Sequence, residues 1–214
     1  MSYSNGGTVH WAGGDRLPLP AQLDIDSDNR VGVEAIRRSI RDNSAVIFCG
    51  PVGSGKSTLM AEVDFWLQMR TRAYYPVRAP WLAEPCWWTT ARGYVGDVRK
   101  GWDFGKRWND WSDDYSADGI ATRVARLFLD DLGDELGGTM NQDGLALDAI
   151  VSLLTFRSAR SLPTWITTNL TLAEMQRTYG ERVVSRLRSS SEVALLAGAD
   201  RRLRRSRPTA GSAR

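Results

Sequence analysis

Short apolar runs alternate with stretches of helical spacing along most of the chain. "AVIF" (45–48), "CWWTT" (86–90), Val124–Leu129, "PTWITTNL" (163–170) and "SEVALLAG" (191–198) have the length and apolar content of buried strands. Between them, "VGVEAIRRSIRD" spaces Val31, Val33, Ile36 and Ile40 as one helix face. "TLMAEVDFWLQMR" (58–70), "ARGYVGDVRK" (91–100), the amphipathic "ALDAIVSLLTFRSAR" (146–160), "TLAEMQRTYG" (171–180) and "GERVVSRLRSS" (180–190) also read as helices. Such alternation predicts an α/β domain, a parallel sheet of about five strands flanked by helices.

Four segments depart from the pattern. Residues 1–30 are rich in Gly, Ser, Asn, Pro and Asp without periodicity and read as a flexible arm before a domain at 31–205; residues 206–214 read as a basic disordered tail. "YYPVRAPWLAEP", punctuated by Pro76, Pro80 and Pro85, is irregular. Residues 101–119 interleave Trp102, Phe104, Trp108, Trp111 and Tyr115 with charges of both signs. Aromatics among basic residues can stack single-stranded bases, but Asp103, Asp110, Asp113 and Asp114 outnumber Lys106 and Arg107 here. The local charge would repel phosphates, so a packing or partner-contact loop is the favoured reading.

The chain of 214 residues has room for one domain with a sizeable core and an arm or two. Cys49 and Cys86 make no disulfide framework and suit a reducing cytosol. No run approaches the roughly 18 apolar residues of a membrane helix, and Met1 to Arg30 is too polar for a signal peptide. A cytoplasmic protein without membrane contact is expected. The lone histidine, His10 in the arm, argues against a zinc site or histidine-based catalysis.

Charge is unevenly spread. From Arg182 to the end, nine arginines face Glu192 and Asp200, a local +7 in a chain whose net charge is +3, which leaves −4 for the remainder. The segment "RRLRRSRPTAGSAR" is either a solvated basic tail or a contact for a phosphate-bearing partner.

The chemistry concentrates in "CGPVGSGKST". Gly50, Pro51, Val52, Gly53, Ser54, Gly55, Lys56, Ser57 and Thr58 complete G-x-x-x-x-G-K-[ST] between a strand and a helix, the context that the P-loop demands. Its glycines let successive N–H groups curl around phosphates; Lys56 is expected to reach the β and γ phosphates and Ser57 to place its hydroxyl on Mg²⁺. Lysine occurs otherwise only at 100 and 106 in this arginine-rich chain, so its use at 56 is selective.

Asp130 and Asp131 end the third strand, where a parallel sheet faces its ligand. One can hold the Mg²⁺ and the other orient or deprotonate water; a plain turn or helix cap is the alternative. Asn169 ends the next strand and is either a turn residue or cap for the helix that follows, or an amide between γ-phosphate and water. Arg182 and Arg186, at i and i+4, share one helix face, which an ordinary surface helix also allows.

The ordered set "GPVGSGKST", "LFLDDLGDE", "PTWITTNL", "YGERVVSRL" and "GADRR" resembles the AAA+ ATPases of the DnaC-like bacterial and phage helicase-loader group, and their relatives, the IstB-type transposition ATPases. The resemblance spans roughly residues 31 to 205. It implies a P-loop NTPase core without a C-terminal lid domain, ATP and Mg²⁺ as cofactors, and a bacterial or phage-infected cell as setting. Asp130 then resembles the magnesium carboxylate, Asp131 the catalytic carboxylate and Asn169 the sensor of the γ-phosphate. Arg186 resembles an arginine finger with Arg182 beside it, and Arg201 or Arg202 a second sensor that contacts nucleotide. A finger acting on a neighbour implies a ring or spiral oligomer. The implied function is loading of a replicative hexameric helicase onto single-stranded DNA. The alternatives are a transposition helper assembling on double-stranded DNA, and a nucleotide-gated binding module without essential hydrolysis.

Overall fold

The computed structural model describes residues 28–42, 44–63, 86–103, 126–137, 144–198 and 200. The arm up to residue 27, the end of the P-loop helix, the proline-punctuated stretch, most of the 101–119 segment, Arg201, Arg202 and the basic tail lie outside them.

Five strands form one sheet: β1 (Ala45–Cys49), β2 (Cys86–Thr90), β3 (Arg126–Leu132), β4 (Thr164–Thr168) and β5 (Ser191–Leu195). The order is β2-β3-β4-β1-β5 and every neighbouring pair is parallel. The helices are α1 (Arg30–Asp42), α2 (described over 56–63), α3 (Ala91–Asp103), α4 (Leu145–Ala159), α5 (Leu172–Tyr179) and α6 (Glu181–Ser190).

Alternation along the strands sends side chains to two cores. Ile47, Trp87, Leu127, Leu129 and Ile166 pack on one face against α3, α4, α5 and α6. Val46, Phe48, Trp88, Phe128 and Trp165 pack on the other against α1 and α2. A sheet covered on both faces has no polar side, which is why the strands read as continuous apolar runs. On the second face Trp88, Phe128 and Trp165 stack across three adjacent strands, with ring centroids 5.5 and 6.1 Å apart.

Several expected boundaries move. β3 runs past the aspartate pair to Leu132 because of a bulge: Leu129 pairs with Ile166 and Leu132 with Thr168, so one extra residue is accommodated at Asp130 and Asp131. α3 continues to Asp103, and β5 stops at Leu195. Val31 is 47% exposed and does not belong to the buried stripe of α1, which is carried by Ala35 and Ile36 with Val33 half-buried. α4 is not cleanly amphipathic: Ala146, Ile150, Leu153 and Leu154 are buried, while Leu147, Ala149 and Val151 on other sides are also packed against the core. It sits between neighbours and so needs apolar residues around most of its girth.

Candidate nucleotide site

Because the strands are parallel, the carboxyl ends of β1, β3 and β4 lie along one edge of the sheet, and β4 separates the other two. This places the P-loop, the aspartates and Asn169 together, as the switch-point rule for open α/β sheets requires. The P-loop leaves β1 at Gly50, whose N–H donates to the Thr168 carbonyl at 3.3 Å. Gly53 and Gly55 take φ values of 77° and 93°, the left-handed region that lets the loop curl. The Leu59 N–H reaches the Gly55 carbonyl at 2.9 Å, so α2 opens directly behind the loop with Lys56, Ser57 and Thr58 in its first turn. Backbone donors at a helix start favour an anion. Pro51 and Val52 form the exposed outer rim, while Ser54 is buried with a hydroxyl that has no partner among the described residues. The Asp200 carboxylate lies against Gly53, where an added Cβ would come within 2.0 Å of Oδ1.

Lys56 is only 5% exposed, and its ammonium donates to the carbonyls of Gly50 and Pro51 at 2.9 and 2.8 Å and to Asn169 Oδ1 at 2.8 Å. Asn169 is therefore joined to the P-loop. The cap of α5 is Thr171: its hydroxyl accepts from the Glu174 N–H, and the Glu174 carboxylate accepts from the Thr171 N–H, a full capping box. The alternative of Asn169 as a helix cap is set aside by this geometry.

Ser57 Oγ donates to Asp130 Oδ1 at 2.9 Å. The same carboxylate oxygen accepts a very short hydrogen bond from Thr167 Oγ1. Burial pushes the Asp130 carboxyl above the usual aspartate range; the Thr167 and Ser57 hydroxyls oppose that shift and the charge of Asp131 adds to it. Asp131 is half-buried with φ 54°, an unusual value for a residue with a side chain, and its N–H donates to Thr167 Oγ1 at 2.9 Å. One threonine thus holds both aspartates. Thr168 works beside it, donating to the Leu132 carbonyl at 2.7 Å and accepting from the Leu170 N–H at 3.0 Å. Neither threonine stood out in the sequence, where the only signal is a pair of hydroxyl residues before Asn169.

The oxygens of Ser57 and Asp130 suit a hard divalent ion. Among the described residues no group of three His, Cys, Asp or Glu side chains could cage a metal. Mg²⁺ needs no such cage, since one or two protein oxygens supplemented by phosphate and water suffice. A cation would also offset the carboxylate charge that burial disfavours at Asp130.

Arg182 and Arg186 are on α6, Arg182 exposed and Arg186 half-buried, while Val183, Val184 and Leu187 form the buried face. Among the described residues neither guanidinium forms an ion pair with a carboxylate. They are not gathered into the cluster of Lys56, Ser57, Asp130 and Asn169 by any contact.

The parallel five-stranded sheet flanked by helices, with a P-loop after β1, matches the AAA+ P-loop NTPase cores in fold. The chain matches no protein-family model and no curated protein. Solved structures share the fold. The DnaC helicase loader aligns with a TM-score of 0.59 at 19% identity, over 82% of this chain and 93% of that one. DnaI aligns at 0.57 and 18%, over 85% and 89%. AMPPCP-bound DnaA from Aquifex aeolicus aligns at 0.61 and 15%, over 85% of this chain and 51% of that one. The chain thus spans about half the length of the DnaA protein and most of the DnaC and DnaI chains. In fold it is DnaC-like. Among the described residues no helix is long and apolar enough to cross a membrane.

Proposed function

We propose that the protein is an ATPase that loads a replicative DNA helicase onto single-stranded DNA. The observation that carries the ATPase reading is the pair of contacts Ser57 to Asp130 and Lys56 to Asn169, which joins the P-loop to the residues after β4 and to β3; in this reading they are the phosphate, metal and sensor groups. Support for the loader reading is that DnaC and DnaI are matched over 93% and 89% of their own lengths, whereas the DnaA match covers 51% of that chain. A DnaA structure bound to AMPPCP and single-stranded DNA also shares the fold, which favours those ligands here.

In this reading the loop amides and Lys56 bind the phosphates. Ser57 and Asp130 are the residues that would hold Mg²⁺, which when bound would neutralise phosphate charge. Asp131 orients the attacking water and takes up its proton, and Asn169 fixes the γ-phosphate and water relative to each other. Arg186, with Arg182 beside it, completes the site of a neighbouring copy in a ring or spiral. Arg201 or Arg202, outside the described residues, is the second sensor of nucleotide in this reading. A finger in trans contributes about 10³ to 10⁵ in rate in other NTPases, so turnover depends on assembly.

The test is ATP turnover against protein concentration, with and without single-stranded DNA, for wild type and Arg186→Ala, together with copurification with a hexameric replicative helicase. Turnover that rises more than linearly, collapses in the variant and leaves ATP binding intact supports the reading. Linear turnover indifferent to Arg186 sinks the shared site, and a preference for duplex DNA without helicase binding sinks the loader.

A further inference from the structure

Glu135 is fully buried, in the short 3₁₀ turn Asp134–Leu136 that follows β3. Both of its carboxylate oxygens are used. Oε2 accepts the Gly133 N–H at 2.8 Å, and Oε1 accepts a very short hydrogen bond from the Tyr179 hydroxyl. Burial pushes the Glu135 carboxyl up, while the Tyr179 and backbone donors hold it down; burial and the neighbouring carboxylate push the Tyr179 phenol up, so it stays a proton donor. An apolar side chain of similar size would fill this space without the cost of burying a carboxyl group. What the carboxyl adds is directional bonding.

The bonded groups bracket the site. Gly133, at φ 109°, lies two residues after Asp131 and packs on Leu170, the neighbour of Asn169, so closely that an added Cβ would stand 3.1 Å from Leu170 Cδ1. Tyr179 is the last residue of α5 and precedes Gly180, the cap at φ 90° from which α6 departs with Arg182 and Arg186. Glu135 therefore joins the turn behind the aspartates to the junction that launches the arginine helix.

We propose that Glu135 is a positioning residue for ATP hydrolysis, fixing the turn that holds Asp131 and tying it through Tyr179 to the start of the helix that bears Arg182 and Arg186. The inference rests on the ATPase reading above. Glu135 touches no reacting atom; it acts through the aspartate turn and the root of α6. Its loss leaves the P-loop contacts in place and so spares ATP binding.

The experiment compares kcat, KM and ATP binding of wild type, Glu135→Ala, Glu135→Gln and Tyr179→Phe, at a temperature where each is shown to be folded. Tyr179→Phe keeps the ring in place and guards against misfolding of the alanine variant. The expected result is a fall in kcat of about tenfold to a hundredfold in Glu135→Ala and Tyr179→Phe, the scale for a reacting group held about 1 Å off its place, with KM nearly unchanged. Glu135→Gln should recover most of the rate, because its amide oxygen still accepts from Gly133 and its NH₂ can donate to the Tyr179 oxygen. A lowered melting temperature with kcat intact would overturn the positioning role and leave the ATPase reading standing. Absence of turnover in the wild type would overturn both.

Discussion

Ser57 Oγ and Asp130 Oδ1 stand 2.9 Å apart although 73 residues separate them in the chain. The contact joins the first turn of α2 to the end of β3 and sets a buried carboxylate beside a hydroxyl with no cation of the protein paired to it among the described residues. Function and stability are opposed at this point. The folded state raises the pKa of Asp130 above its unfolded value, so it retains its proton to higher pH than the unfolded chain does. Stability therefore declines as pH rises from about 4, the unfolded value, through the raised folded value, and the cost is fully present above that.

Asp130→Asn removes the charge and keeps an oxygen to accept from Ser57 and Thr167. The free variant should melt higher than wild type at neutral pH, with the gap closing below about pH 4, where both carboxyl forms are protonated. Mg²⁺ with ATP should raise the melting temperature of the wild type far more than that of the variant. Thermal scans across pH check both statements, and a variant that melts lower at neutral pH would contradict the electrostatic account.

Lys56 donates to the Gly50 and Pro51 carbonyls and to Asn169 Oδ1, so a change at Asn169 acts on the ammonium that the P-loop presents to phosphate. Asn169→Asp would turn a neutral acceptor into an ion-pair partner and should weaken ATP binding. Asn169→Ala should leave binding near the wild-type level and lower kcat by about 10² to 10³, the usual effect of losing one preorganised polar contact at a developing charge. Equilibrium binding and single-turnover rates separate the two. Similar effects of both substitutions on binding would remove the sensor role.

Much of this site was legible because chain order alone encodes it. The P-loop is one contiguous stretch, and Asp130 and Asn169 announce themselves as polar groups closing apolar strands. The partners were not legible. Thr167 bridges the two aspartates only because β3 and β4 are adjacent and β3 carries an extra residue there, and neither strand order nor bulge can be read from hydrophobic pattern. Glu135 reads as one more surface acid in "LGDE" until Tyr179 arrives from a helix 44 residues away. Val31 matched the helical spacing and is nonetheless exposed, since spacing marks a face but does not say where along the helix burial ends.

Gly50 is required by proximity. A Cβ there would lie 2.5 Å from the Leu196 carbonyl oxygen. That oxygen cannot easily withdraw, because the Leu196 N–H is bound to the Cys49 carbonyl at 2.7 Å. Gly50→Ala should destabilise the fold by about 1–3 kcal/mol, as overpacking of a fixed contact does, and weaken ATP binding by displacing the loop from β5. Denaturant unfolding together with nucleotide titration checks this; wild-type values for both would show that the β5 exit yields.

Thr167 is the residue through which the aspartate pair acts as a unit. Its hydroxyl donates to Asp130 and accepts the Asp131 N–H, so Thr167→Val, nearly identical in shape, deletes both bonds at once. The half-buried Asp131 N–H then loses its acceptor, which destabilises the fold, less than for a fully buried donor. Asp131 also loses the bond that pins its left-handed backbone, so kcat should fall while Lys56 and the loop amides still bind ATP. Thr167→Ser, which retains the hydroxyl, should restore turnover more fully than stability, because the missing methyl leaves a small void in the core. If Thr167→Val turns over at the wild-type rate, the hydroxyl does not matter and Asp131 is held in place by the bulge alone.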